Sequence, residues 1–143
     1  MKEVRTEIEI NTSPEKVWKI LSDFEKYEQW NPFINRISGQ AKQGNRIEIH
    51  IETPAGKKRR YEPVITKIDP ERELRWVGKS WVLNGEHIFA IEQLEQGRVR
   101  FVQREVFDGL LAGFFGKSLD SDIKQGLEKM NAALKERAER GAL

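Results

Sequence analysis

His87, Gln103 and Glu105 are polar residues on two otherwise apolar stretches, Leu83–Leu94 and Arg98–Phe107, that read as a β-hairpin. Between the stretches, Glu95-Gln96-Gly97 forms a three-residue loop, with glycine in the left-handed conformation it tolerates. That loop sets Leu94 against Arg98. It therefore sets His87 opposite Glu105, Phe89 opposite Gln103 and Ile91 opposite Phe101. All six share one face, and Phe89, Ile91 and Phe101 make it the inner face. A two-residue turn would shift the register by one and split the set. Polar groups on an apolar wall cost about 1–3 kcal/mol each if unpaired. They persist when they satisfy one another, meet water or bind a ligand. Two chemistries are open to them: orienting a carbonyl or hydroxyl at the polar end of an apolar pocket, or acid–base catalysis by His87 and Glu105. The plainer alternative is a structural His–Glu pair that locks two strands, since no nucleophile or electrophile stabiliser accompanies it.

The elements that must position these residues follow from periodicity. Val4, Thr6, Ile8 and Ile10 alternate with charged residues and predict a half-buried first strand. Ser13-Pro14-Glu15 starts a helix, with a capping hydroxyl, proline at the first helical position and an acid near the positive end. Ser22-Asp23 can cap a second short helix carrying Phe24, Tyr27 and Trp30, which Asn31-Pro32 closes. From Ile34 to Phe107 the chain reads as consecutive strands, with turns at Gln43-Gly44, Pro54-Ala55-Gly56, Asp69-Pro70 and Gln96-Gly97. Pro63 predicts an edge position or a bulge. Beyond Asp108-Gly109 the period becomes helical. Phe115, Leu119, Ile123, Leu127, Met130 and Leu134 form one apolar face. A helix from Leu110 to Arg140 would be roughly 45 Å long at 1.5 Å per residue. Only a broad curved sheet covers such a stripe, so the class is α+β.

The 143 residues amount to one domain, residues 1–143, and 38% hydrophobic against 34% charged residues fits a folded chain. A net charge of +2 argues against a nucleic-acid partner held by bulk charge. With no cysteine and only His50 and His87, disulfides, thiolate catalysis and a three-histidine metal site are excluded. No cofactor and no metal are expected. The absence of a long apolar run argues against stable membrane insertion, and a start without an apolar segment predicts a cytoplasmic location.

Ile10-Asn11-Thr12-Ser13-Pro14-Glu15-Lys16-Val17-Trp18, Tyr27-Glu28-Gln29-Trp30-Asn31-Pro32-Phe33, Glu73-Leu74-Arg75-Trp76, Gly85-Glu86-His87-Ile88-Phe89 and Phe101–Leu110 resemble the START-like, helix-grip (SRPBCC) superfamily, in its polyketide cyclase/dehydrase-like branch. The resemblance implies a seven-stranded antiparallel sheet wrapped around the C-terminal helix, two short helices after the first strand, and an apolar cavity between sheet and helix. Its members include ligand carriers, cyclases, iron oxygenase domains and chaperone activators, among which fold does not choose. Iron oxygenases need two histidines and a carboxylate. Here His50 alternates away from the Ile47-Ile49-Ile51 face, which argues against that branch.

The expected function is binding of a small hydrophobic molecule, aromatic or lipid-like, by a monomer or homodimer. Its apolar wall would come from Trp76, Phe89, Phe101, Phe107, Phe115, Leu119, Ile123 and Met130, and its polar end from His87, Gln103 and Glu105. The alternatives are a cyclase, dehydratase or hydrolase using His87 and Glu105, and a protein-interaction regulator. Phe33, Ile34, Trp81, Leu110, Leu111 and Phe114 are expected either at the cavity entrance, as a lid or dimer patch there, or as ordinary loop anchors, and Gly113 and Gly116 are expected to allow close helix–sheet approach, with a bend in the first turns as the alternative. Lys57-Lys58-Arg59-Arg60 is expected to be a solvated hairpin tip.

Overall fold

Strict alternation of buried and exposed residues makes β1 (Lys2–Ile10) a strand with one inner face. The chain then turns into α1 (Pro14–Ser22), where the Ser13 hydroxyl accepts from the Lys16 N–H at 3.2 Å and Pro14 opens the first turn. Val17, Ile20 and Leu21 are its buried stripe. Ser22 and Asp23 do not cap the next element as expected. The Ser22 hydroxyl donates back to the Trp18 carbonyl at 2.7 Å, and Asp23 makes no side-chain cap, so a 3-10 turn (Phe24–Lys26) leads into α2 (Tyr27–Trp30). Tyr27 is wholly buried and donates to the Leu21 carbonyl at 2.5 Å. Burial, with the charge of Asp23, pushes its hydroxyl well above the ordinary tyrosine range. These statements and those below come from a computed structural model that describes residues 2–79, 84–108 and 117–140, with 117–120 described by backbone alone.

Seven further strands follow: β2 (Ile34–Ser38), β3 (Glu48–Glu52), β4 (Lys58–Tyr61), β5 (Val64–Asp69), β6 (Glu73–Lys79), β7 (Asn84–Gln93) and β8 (Val99–Asp108). They do not form the single seven-stranded sheet expected. Among the described residues there are eight strands in two antiparallel sheets, a five-stranded one ordered β1-β8-β7-β6-β5 and a three-stranded one ordered β2-β3-β4. Pro63 is the physical reason. Without an N–H it cannot continue a ladder, so the chain leaves β3 after Tyr61 and joins β6 at Val64. The sheets remain stitched at this corner. The Ile47 N–H donates to the Pro63 carbonyl at 2.9 Å, and the Ile65 N–H to the Asn45 carbonyl at 2.8 Å.

The long helix α3 (Lys117–Glu139) lies against β1, α1 and α2. The stretch predicted to carry its first turns, from Leu110, lies outside the described residues, as do Gly113 and Gly116. Leu127, Met130, Leu134 and Ala138 are fully buried, while Ile123 is only partly so. Two polar residues share the buried face, Asp122 and Asn131. One oxygen of Asp122 accepts from the Ala55 N–H at 2.9 Å and ties the Pro54-Ala55-Gly56 turn to the helix. Phe33 and Ile34 are not at an entrance. They are 2% and 0% exposed, because α3 has a glycine where the Phe33 ring lies. A Cβ on Gly126 would stand 2.4 Å from Cδ1 and 2.6 Å from Cε1 of that ring. No helix among the described residues is long and apolar enough to cross a membrane.

Alanine is preferred over glycine in a helix by up to about 1 kcal/mol. At position 126 that preference should be overridden, because overpacking costs about 1–3 kcal/mol. Gly126→Ala is expected to lower the urea midpoint followed by circular dichroism, and adding Phe33→Leu to recover most of the loss. A midpoint that rises in the single variant would contradict the close approach.

Three carboxylates are held below their ordinary value of 4.5. Glu48 is lowered to about 2 by hydrogen bonds from Arg60 and then His50. Glu73 is lowered mainly by Arg75, and Glu139 mainly by the Asn11 backbone N–H. Below their ordinary range the unfolded chain therefore binds more protons than the folded one. Their contribution is present above about pH 4.5 and is lost as pH falls through the lowered values. Urea midpoints should hold steady from neutral pH to about 5 and then fall. Glu73→Gln should flatten that fall.

Candidate functional site

The β7–β8 hairpin has the predicted register. Gly97 sits at φ +81°, the Arg98 N–H donates to the Glu95 carbonyl at 3.0 Å, and His87, Phe89 and Ile91 oppose Glu105, Gln103 and Phe101. Extending the pairings to neighbouring strands lines up inner-face residues in rows. One row reads Val4, Glu105, His87, Trp76, Ile65. The next row in one direction reads Thr6, Gln103, Phe89, Leu74, Ile68, and beyond it lie Ile8, Phe101 and Ile91. In the other direction the row reads Lys2, Phe107, Gly85, Gly78.

The polar members of these rows form one connected line. Glu105 Oε1 lies 3.0 Å from His87 Nδ1, and His87 Nε2 lies 2.9 Å from Gln103 Oε1. Gln103 Nε2 donates to Asn131 Oδ1 at 2.7 Å and to the Leu127 carbonyl at 3.4 Å. Asn131 Nδ2 donates to Thr6 Oγ1 at 3.0 Å. Proton positions follow by elimination. The Leu127 carbonyl only accepts, so the Gln103 amide nitrogen is on the α3 side and its oxygen faces His87. His87 Nε2 must therefore carry a hydrogen. Nε2 is thus committed to Gln103, while Nδ1 faces Glu105 at ion-pair distance.

Hydrocarbon surrounds the ring. His87 stacks on Phe89 with centroids 4.0 Å apart, and Trp76 meets both rings edge-on at 5.4 and 4.9 Å. Exposure rises along the line from Gln103 at 0% through His87 at 4% to the Glu105 side chain at 14%. Phe107 and Gly85, in the adjoining row, are half-buried as well. Among the described residues, one end of the trough is therefore packed and the other less completely buried. Phe89, Phe101 and Met130, expected as cavity wall, have no exposed surface and form the packed floor, because α3 fills the sheet's inner face there. Trp76 is 3% exposed and Ile123 half-buried. Phe115, Trp81, Leu110, Leu111 and Phe114 lie outside the described residues, and of Leu119 only the backbone is described.

At the open end, two glycines interrupt the wall. Among the described residues, a Cβ at Gly85 would meet only the Phe107 ring, at 3.6 and 3.7 Å, and one at Gly78 only Pro63, at 4.0 Å. Two residues before Pro63 stands Tyr61, 47% exposed as a residue. Burial of its hydroxyl and then the charge of Glu105 raise its pKa, while Arg59 opposes.

Sequence reasoning missed Asn131, Thr6 and Tyr61. Asn131 was detectable as a polar residue on the Leu127-Met130-Leu134 stripe, and Thr6 as an inner-face member of β1. Tyr61 was not, since its position depends on the switch of sheets at Pro63. His50 is remote from this site. It bonds Glu48 at 2.7 Å on the three-stranded sheet, beside the exposed Lys58–Tyr61 strand.

In sum of chemistry, the site can accept a hydrogen bond at Glu105 and bury apolar surface beside Phe107 and the two glycines. Comparison with known proteins agrees with the fold. A START superfamily protein from Mycobacterium smegmatis superposes with a TM-score of 0.79 at 20% identity, over 98% of this chain and 99% of that one. The Zhui aromatase/cyclase from Streptomyces sp. R1128 gives 0.79 at 17% identity, over 97% and 94%. The Aha1 dimer from Colwellia psychrerythraea gives 0.73 at 19% identity, over the full length of both. At these identities the likeness is one of fold. No curated protein sequence matches the chain. The family model described as polyketide cyclase / dehydrase and lipid transport matches residues 1–139, so the chain belongs to that family, with a START-like fold.

Proposed function

We propose that this protein binds a small, largely apolar molecule, aromatic or lipid-like, between the five-stranded sheet and α3, entering where Glu105, Phe107, Gly78 and Gly85 meet. The observation that carries the reading is the polar line that runs from a sealed core at Gln103 to a partly open carboxylate at Glu105. A purely structural pair would be as well placed at the sealed end. Here the carboxylate stands where the wall loses its side chains. The driving force would be desolvation of ligand surface, about 25 cal/mol per Å2, with an orienting hydrogen bond at Glu105.

An enzymatic reading as a cyclase, dehydratase or hydrolase draws on the aromatase/cyclase neighbour. With Nε2 of His87 engaged by Gln103, proton transfer would fall to Glu105 and the Nδ1 that faces it. A regulator that binds a protein through loop aromatics is less well supported, since Phe33 is packed against α3.

Native mass spectrometry of freshly purified protein, followed by solvent extraction, should reveal a bound apolar compound. Titration with N-phenyl-1-naphthylamine should give saturable fluorescence enhancement. Gly85→Val, which places a branched side chain in the open end, should abolish it while leaving the urea midpoint nearly unchanged. Glu105→Ala should weaken binding about tenfold or more, the loss of a hydrogen bond to a charged group being about 1.5–3 kcal/mol. A clean apo mass together with unaltered probe binding by Gly85→Val would remove the basis for the reading.

A further inference from the structure

Resting on the binding role proposed above, we infer that the ligand carries a hydrogen-bond donor at its polar end, an alcohol, phenol or amine, received by Glu105, and that a carboxylic acid is disfavoured there. The inference comes from counting which polar atoms remain free. His87 has Nε2 bonded to Gln103, and its Nδ1 faces Glu105 at 3.0 Å. Gln103 has its oxygen on His87 and its nitrogen on Asn131 and the Leu127 carbonyl. Asn131 has its oxygen on Gln103 and its nitrogen on Thr6. The one amide hydrogen left over, on Asn131 Nδ2, belongs to a residue only 2% exposed, on the far side of Gln103 from Glu105.

Glu105 Oε2 remains, with no hydrogen bond to any described residue, on the most exposed side chain of the line. A carboxylate oxygen accepts hydrogen bonds and donates none, so the atom offered to the trough is an acceptor. A ligand carboxylate would meet it as like against like, which is a built-in discrimination.

The surroundings fit a ring or chain end bearing such a donor. Gly78 and Gly85 leave the wall beside Glu105 without side chains, and Phe107 supplies an aromatic flank.

The test compares ligands with one hydrocarbon body on the wild-type protein at pH 7.5: 2-naphthol, 2-methoxynaphthalene and 2-naphthoate, read by isothermal titration calorimetry. Decanol against decanoate repeats the comparison for a chain. The expected result is that 2-naphthol binds at least about tenfold tighter than its methyl ether, which cannot donate, and tighter than the acid. Glu105→Gln, nearly isosteric, should reduce both preferences to about twofold or less, because its amide can donate as well as accept. Equal or tighter binding of 2-naphthoate, or preferences unchanged in Glu105→Gln, would overturn the inference while leaving the binding role intact. Failure of every compound to bind, the neutral ether included, would overturn the binding role and the inference with it.

Discussion

A helix laid across the inner face of a sheet must bury whatever that face presents, and in this chain the face presents the amide of Gln103. That side chain has no exposed surface, so each of its polar atoms needs a protein partner. The helix provides two, the Leu127 carbonyl and Asn131, and β7 provides the third through His87. Apolar packing alone is tolerant of sliding. A buried amide with directed partners is not, since an orphaned group costs about 1–3 kcal/mol. The contacts around Gln103 therefore set where α3 sits along the sheet, and they orient His87. Glu105 inherits its position in turn.

Sealing one end of the trough decides what the other end can be. Residual cavity volume costs roughly 24 cal/mol per Å3, so a wide empty space running the length of the helix would rival the stability of a small domain. Phe89, Phe101, Leu127, Met130 and Leu134 avoid that by filling the trough completely on the far side of the polar line. Among the described residues, burial is less complete in the row beyond His87, where Gly78 and Gly85 stand. In the binding role proposed above, the polar contact would fall at the base of the ligand rather than at its middle.

The hairpin was legible in the sequence because its register depends on local facts. A three-residue loop ending in Gly97 leaves one pairing, and the alternation of Phe89, Ile91 and Phe101 tells which face is inside. The first helix was legible for the same reason, with Ser13 and Pro14 adjacent to what they cap. Pro63 was recognisable as a break in a ladder, but local sequence does not say that the strand on either side joins a different sheet. That choice depends on β3 and β6, which are far apart in the chain. Phe33 was misplaced for a related reason. Asn31-Pro32 reads as a loop, and the feature that buries the ring is a missing side chain at Gly126, more than ninety residues on. Asn131 could have been seen as a flaw in an apolar stripe, yet only contact with Gln103 shows that the flaw is matched.

The same contacts bear on the choice between a carrier and an enzyme. A catalytic imidazole must exchange a proton with something that comes and goes, which requires one nitrogen turned toward the substrate. Here one nitrogen is turned toward a buried amide that is itself fixed from α3, and the other toward Glu105. Moving a proton through His87 would leave Gln103 Oε1 facing a bare lone pair. In the proposed binding role the ring would keep one oxygen of Glu105 still, so that the second meets each ligand in the same place. A fixed acceptor in an apolar recess recognises a polar end without altering it. That is the property wanted of a binding protein, and it would have to be relaxed before the same residues could turn over a substrate.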